Sequence, residues 1–144
     1  MIVMPGDIDV FMELNNGRFL TLMDFGRFDL AIRSGLMKFV KKQNWGLTVA
    51  GASVRYRHRL RLFQQFELHS QVIGHDKMWI YFHQKIIRND KTHASALIRT
   101  GVTSRKGIVK VEEVLKKMKP DVEIPLLPDW AKAWVEADEI HPKS

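Results

Sequence analysis

The chain has 144 residues, 45% of them hydrophobic and 27% charged, enough for one domain with a real core and too balanced for a disordered or collagen-like polymer. It contains no cysteine, which excludes disulfides, thiolate metal sites and cysteine nucleophiles, and no apolar run is long enough to cross a membrane. A net charge of +7 attracts anions of every kind, whether nucleic acid, acidic lipid or CoA phosphates, without choosing among them.

Residues 1–14 read as short extended and turn-like pieces bent at Pro5-Gly6, with no basic segment leading a secretory apolar run; a cytoplasmic protein is expected. Asn15-Asn16 offers N-cap chemistry for a helix over about 17–34, closed by Gly35. Its apolar residues, among them Phe19, Leu22, Met23, Phe25, Phe28, Leu30 and Ile32, cover more than one stripe and predict burial on most sides. Gly26 is a flat spot where another backbone can come close. A second helical piece follows at 36–43, with Lys38, Lys41 and Lys42.

From residue 46 the period becomes two. Leu47 to Leu62 reads as one long strand with Arg55, Arg57, Arg59 and Arg61 on one face and Val54, Tyr56, His58, Leu60 and Leu62 on the other. Further strands are predicted over Phe66–Gly74, Met78–Arg88 and His93–Arg105, joined by turns at His75-Asp76-Lys77 and Asn89-Asp90-Lys91. After Gly107, Val111, Val114, Leu115 and Met118 have helical spacing, and Lys116, Lys117 and Lys119 lie near the end of that segment. Pro120, Pro125 and Pro128 then break the chain before Asp129, which can cap a last helix carrying Trp130 and Trp134. An apolar helix followed by an antiparallel meander is an α+β layout, with the sheet curled around the helix and free edges that a second copy can join. No linker or repeat divides the chain; a core over about 1–107 with a C-terminal helical extension over about 108–144 is expected.

The segment Asp7-Ile8-Asp9-Val10-Phe11-Met12-Glu13-Leu14-Asn15-Asn16 carries the chemistry. A carboxylate loop runs into a helix N-terminus, whose unpaired N–H groups suit a developing oxyanion; acyl transfer needs that pairing of a base or nucleophile with donors. Asp and Asn before a helix are also ordinary caps and turn residues, so spacing alone does not make an active site.

The segment resembles the signature of the 4-hydroxybenzoyl-CoA thioesterase family of hotdog proteins, in which Asp-x-Asp, Gly-His and Asn-Asn precede the central helix. It is most similar to the thioesterase-like subgroup, through Asn15-Asn16-Gly17-Arg18-Phe19-Leu20 and Asp24-Phe25-Gly26-Arg27. The resemblance implies a hotdog fold and hydrolysis of an acyl-CoA, or acyl carrier protein, thioester by a homodimer or homotetramer, without a cofactor. It implies Asp9 as the catalytic carboxylate, the backbone N–H near Asn16 as oxyanion donor and Asp24 as the alternative carboxylate on the helix. Asn15, Phe19, Arg57, Arg59 and Arg61 become candidate substrate-binding residues, and Asp7 a turn residue. For Asp24 the competing expectation is an ion pair with Arg18 or Arg27. The family's Gly-His falls on Met12-Glu13, a departure that keeps open a hotdog protein binding acyl-CoA or another apolar ligand without turnover.

The six histidines lack metal-ligand spacing, no Gly-x-Ser-x-Gly elbow is present, and aromatics do not alternate with the arginines as a base-stacking platform requires. Neither a metal nor a nucleic acid partner is expected. No membrane partner is expected either.

Overall fold

The computed structural model describes residues 1–118 and 124–142; Lys119 and Pro120 lie outside the described residues. A single 3-10 turn at Pro5–Asp7 precedes α1 (Asn16–Arg33) and α2 (Leu36–Lys42). The strands are β1 (Gly46–Tyr56), β2 (Glu67–His75), β3 (Ile80–Arg88), β4 (Lys91–Ser104) and the short β5 (Gly107–Val109), followed by α3 (Val111–Met118) and α4 (Asp129–Glu139). The sheet is wholly antiparallel in the order β1-β4-β3-β2, with β5 paired to the end of β4.

Local chemistry sets most boundaries. Asn15 caps α1 by accepting the Gly17 N–H at 2.8 Å, and Gly35 ends the helix with φ of 82°, a conformation only glycine adopts freely. The β3–β4 hairpin turns on Asn89 and Asp90, with φ of 49° and 59°, as a two-residue primed turn demands. Asp76 Oδ1 accepts the Met78 and Trp79 N–H groups at 3.0 and 2.9 Å and so closes the β2–β3 connection.

Period two divides the sheet into faces. Phe82, Ile86, Ala94, Ala96 and Ile98 point to α1 and pack with Phe19 and Met23, whereas Tyr81, Leu97 and Ile73 on the other face are covered by Leu127 and Ala131 at the start of α4. Arg99 pins α4 further: its guanidinium lies 4.8 Å from the Trp134 ring and binds Asp138 at 2.5 Å. Asp129 does not cap α4, because Pro128 holds the N-cap position and Asp129 is the first helical residue.

Two further expectations are corrected. β1 ends at Tyr56, not Leu62, so Arg57, Arg59 and Arg61 lie in a loop and form no row on a strand. The Arg57 and His58 N–H groups both converge on the His93 carbonyl, after which the chain leaves β4 and bonds to the N-terminal segment, Val3 N–H to Gln64 O at 3.0 Å and Phe63 N–H to Val3 O at 2.9 Å. Nor is α1 buried on most sides. Phe19 and Met23 are 3% and 0% exposed, but Phe25, Phe28 and Ile32 are 60%, 58% and 57% exposed. Phe25 and Phe28 line a cavity with Leu47 and Val49 of β1, the open edge strand.

Candidate active site

The segment before α1 folds back on itself as a small hairpin. The Asn15 N–H donates to the Asp7 carbonyl at 2.9 Å, the Asp9 N–H donates to the Glu13 carbonyl at 2.8 Å, and Ile8 bridges Leu14. Asp9 is therefore set two extended residues, about 7 Å of chain, from the pair that adjoins the helix start. Its Oδ1 accepts the Phe11 N–H at 2.8 Å and the Glu13 N–H at 3.4 Å across the hairpin turn, and the side chain is half-buried. Met12 sits at the tip with φ of 62°, the left-handed region that glycine occupies without strain.

Asp7 is more than a turn residue. Buried at 7% exposure, it accepts Arg18 Nε at 2.9 Å and the Met4 N–H at 3.0 Å, tying the N-terminal segment to the first turn of α1. In that turn, the Gly17 N–H is taken by the Asn15 side chain, and the Arg18 and Phe19 N–H groups by the Asn15 carbonyl. The exposed Asn16 N–H has no acceptor among the described residues, which leaves one open donor at the amide end of α1.

Tyr56, at the last position of β1, was not singled out by the sequence. Its hydroxyl donates to the Asn16 carbonyl at 3.1 Å, and its ring meets Phe19 edge-on at 5.4 Å between centroids. Burial raises the Tyr56 hydroxyl above its ordinary pKa, so it stays a donor. Phe19 is in the core, not presented to solvent as a ligand contact.

Asp24 is exposed and pairs with Arg27, not Arg18. Arg27 also donates to Gln84 Oε1 at 2.7 Å, and the wholly buried Gln84 donates to the Met23 carbonyl and to Ser70 Oγ, each at 2.8 Å. Burial lowers the pKa of Arg27, opposed by Asp24. Gly26 permits this approach: a Cβ there would stand 2.6 Å from Leu68 and 2.9 Å from Ser70. Asp24 and Arg27 border a cavity of about 440 Å³ walled by Phe25, Phe28, Leu47, Val49 and Phe82 on the β1 side of α1.

Arg57, Arg59 and Arg61 are exposed; Arg59 is committed to Glu13 at 3.1 Å, and the Arg61 backbone bridges that of Glu13. The loop thus rests on the hairpin by way of Glu13. Among the described residues no cluster of His, Asp or Glu has the arrangement of a metal site, and no helix is long and apolar enough to cross a membrane.

A helix packed against an antiparallel meander is the hotdog arrangement. The chain belongs to the Thioesterase-like superfamily, whose family model matches residues 3–135. It is 30% identical over 141 residues to Protein THEM6 of Xenopus laevis, a match covering 96% of this chain and 66% of that one, so it spans about two thirds of that relative. YbaW of Escherichia coli, described as a probable thioesterase, superposes with a TM-score of 0.77 at 22% identity, covering 85% of this chain and 96% of the other. SAV2348 of Staphylococcus aureus, solved in complex with CoA, gives a TM-score of 0.70 at 11% identity over 100% and 91% of the two chains. The solved structures show the shared fold.

Proposed function

We propose that the chain is an acyl-CoA thioesterase of the 4-hydroxybenzoyl-CoA type, acting as a homodimer in the cytoplasm on a CoA or carrier-protein thioester. The observation that carries this reading is the unpaired Asn16 N–H beside the Asp9 hairpin. The thioester oxygen accepts from that N–H, and Asp9 either attacks the carbonyl carbon or takes a proton from the attacking water. With Asp9 as base, the C–S bond of the tetrahedral adduct breaks, the protonated Asp9 returns its proton to the departing CoA thiolate, and the free acid is left. With Asp9 as nucleophile, C–S cleavage leaves an acyl-Asp9 anhydride and a thiolate protonated from water, and a second water hydrolyses the anhydride to free acid and Asp9. An acyl group lies along the β1 side of α1 towards the cavity at Asp24, and Arg57 and Arg61, which have no carboxylate at ion-pair distance among the described residues, meet CoA phosphates. The homodimer is supported by the open β1 edge and the exposed Phe25, Phe28 and Ile32 beside it. The whole described chain is read as one hotdog domain with α3 and α4 as its extension.

The test is Asp9→Asn, assayed for thiol release on a panel of short, long and aromatic acyl-CoAs. We expect turnover to fall by about 100-fold or more with the thermal transition unchanged. Turnover that survives in Asp9→Asn and disappears in Asp24→Asn reassigns the carboxylate to the helix.

A second reading, an acyl-CoA binder without turnover, is favoured by one observation: the Asp9 Oδ1 is already held by two turn N–H groups beneath Met12-Glu13. Saturable binding of acyl-CoA with no CoA release from any member of the panel would establish it.

A further inference from the structure

The two flanks of α1 hold different cavities. On the side of β2, between the C-terminal part of α1, α2 and α3, lies a cleft of about 890 Å³, within the range of small-molecule sites. Leu30, Val72, Leu115 and Met118 make its walls apolar. Among the described residues, the charged side chains lining it are all cationic: Arg33, Lys38 and Lys42. Arg33 already holds Asp29 at 2.7 Å, whereas Lys38 and Lys42 have no carboxylate at ion-pair distance among the described residues. The two lysines are four apart on α2, where like charges repel on one helix face until an anion sits between them.

We propose that this cleft is a second ligand site, which takes a linear alkyl chain with an anionic headgroup, the chain among the apolar walls and the head at Lys38 and Lys42. It does not depend on the Asp9 chemistry. It lies across α1 from the open β1 edge, so two copies joined along that edge leave it accessible. Leu36 and Phe82 line both this cleft and the cavity bordered by Asp24, and these two side chains are the wall the cavities share. A lysine ammonium is a point charge without a planar fork, so carboxylate and phosphate heads both fit, while an uncharged head does not use the rim.

The experiment is calorimetric titration of the full chain with laurate, dodecyl phosphate and dodecanol, each below its micellar concentration. We expect saturable binding of at least one anion, tighter than the alcohol; the tighter anion identifies the head. In the double variant Lys38→Glu/Lys42→Glu, exposed positions that leave the core intact, anion affinity should fall about tenfold while the alcohol changes by less than about twofold. Equal affinity for dodecanol and the anions, or anion binding unaffected by the double variant, overturns the proposal. So does binding abolished by Phe28→Ser on the other flank and retained in the lysine variant. The readout is heat of binding, not CoA release, so a protein with no hydrolytic activity can still bear the site, and an active one can still lack it.

Discussion

The two flanks of α1 are equally apolar in sequence but not in structure. Phe19, Met23 and Leu30 pack toward β2 and β3, with Gly26 thin enough to let Gln84 and Ser70 reach the helix. Phe25, Phe28 and Ile32, spaced to form their own stripe, are left exposed by every element among the described residues. Apolar periodicity records total burial in the working protein and does not distinguish a cover made by the same chain from one made by a second copy. The flank left open is the one beside the unpaired β1 edge, where a two-fold partner can cover both at once.

The most direct way to break this comparison is to truncate one residue from each flank. Met23→Ala should cost about 3 kcal/mol at every protein concentration, because the cavity it leaves is internal. Phe28→Ala should cost much less than about 1 kcal/mol in dilute monomer. Its effect should appear only where the wild type is assembled, as a loss of the concentration dependence of Tm and a shift to monomer in sedimentation. Equal, concentration-independent losses would mean that the open flank is not an interface.

A smaller effect sharpens the account of the closed flank. Gln84→Leu keeps the volume but removes the acceptor of Arg27 and the donor to Ser70 and Met23, leaving a largely buried guanidinium short of a partner. The expected loss is about 2 kcal/mol in chemical denaturation. Adding Arg27→Met should recover part of it, since the unmatched charge is then gone. No recovery would show that Gln84 acts through packing alone.

How far the sequence could be read follows the same division between local and distant causes. The Asn15 cap, the Gly35 stop and the Asn89-Asp90 turn are each set by a residue's own backbone preferences, and their places agree with the expected ones. The end of β1 was missed because alternation continues through His58, Leu60 and Leu62, while the bonds that divert the chain come from residues 3 and 14. At the site, the cap, the carboxylate loop before it and Arg27 as one of two expected partners of Asp24 were legible, but not the hairpin fold of that loop, the partner of Asp7 or the hydroxyl of Tyr56, which meets Asn16 across 40 residues. Gln84, a lone amide amid Ile80-Tyr81-Phe82 and Ile86-Ile87, was a signal that could have been used: a buried polar side chain in an apolar strand needs partners. The two cavities beside α1 arise where separate elements fail to fill space and leave no pattern in the chain.

Tyr56→Phe is the mildest change and isolates the amide end of α1. The ring stays edge-on to Phe19, so stability should fall by less than about 1 kcal/mol, the worth of one partly exposed hydrogen bond. What should change is the order of the first turn: without the hydroxyl on the Asn16 carbonyl, amide exchange at residues 17–19 should quicken several-fold while that of Met23 does not move. On an active protein the same variant should lower kcat and leave KM nearly constant, because a donor aimed at the oxyanion matters most when charge develops. Faster exchange with unaltered kcat would separate the two roles, keeping Tyr56 as a clamp on the helix start and removing the Asn16 N–H from the chemistry.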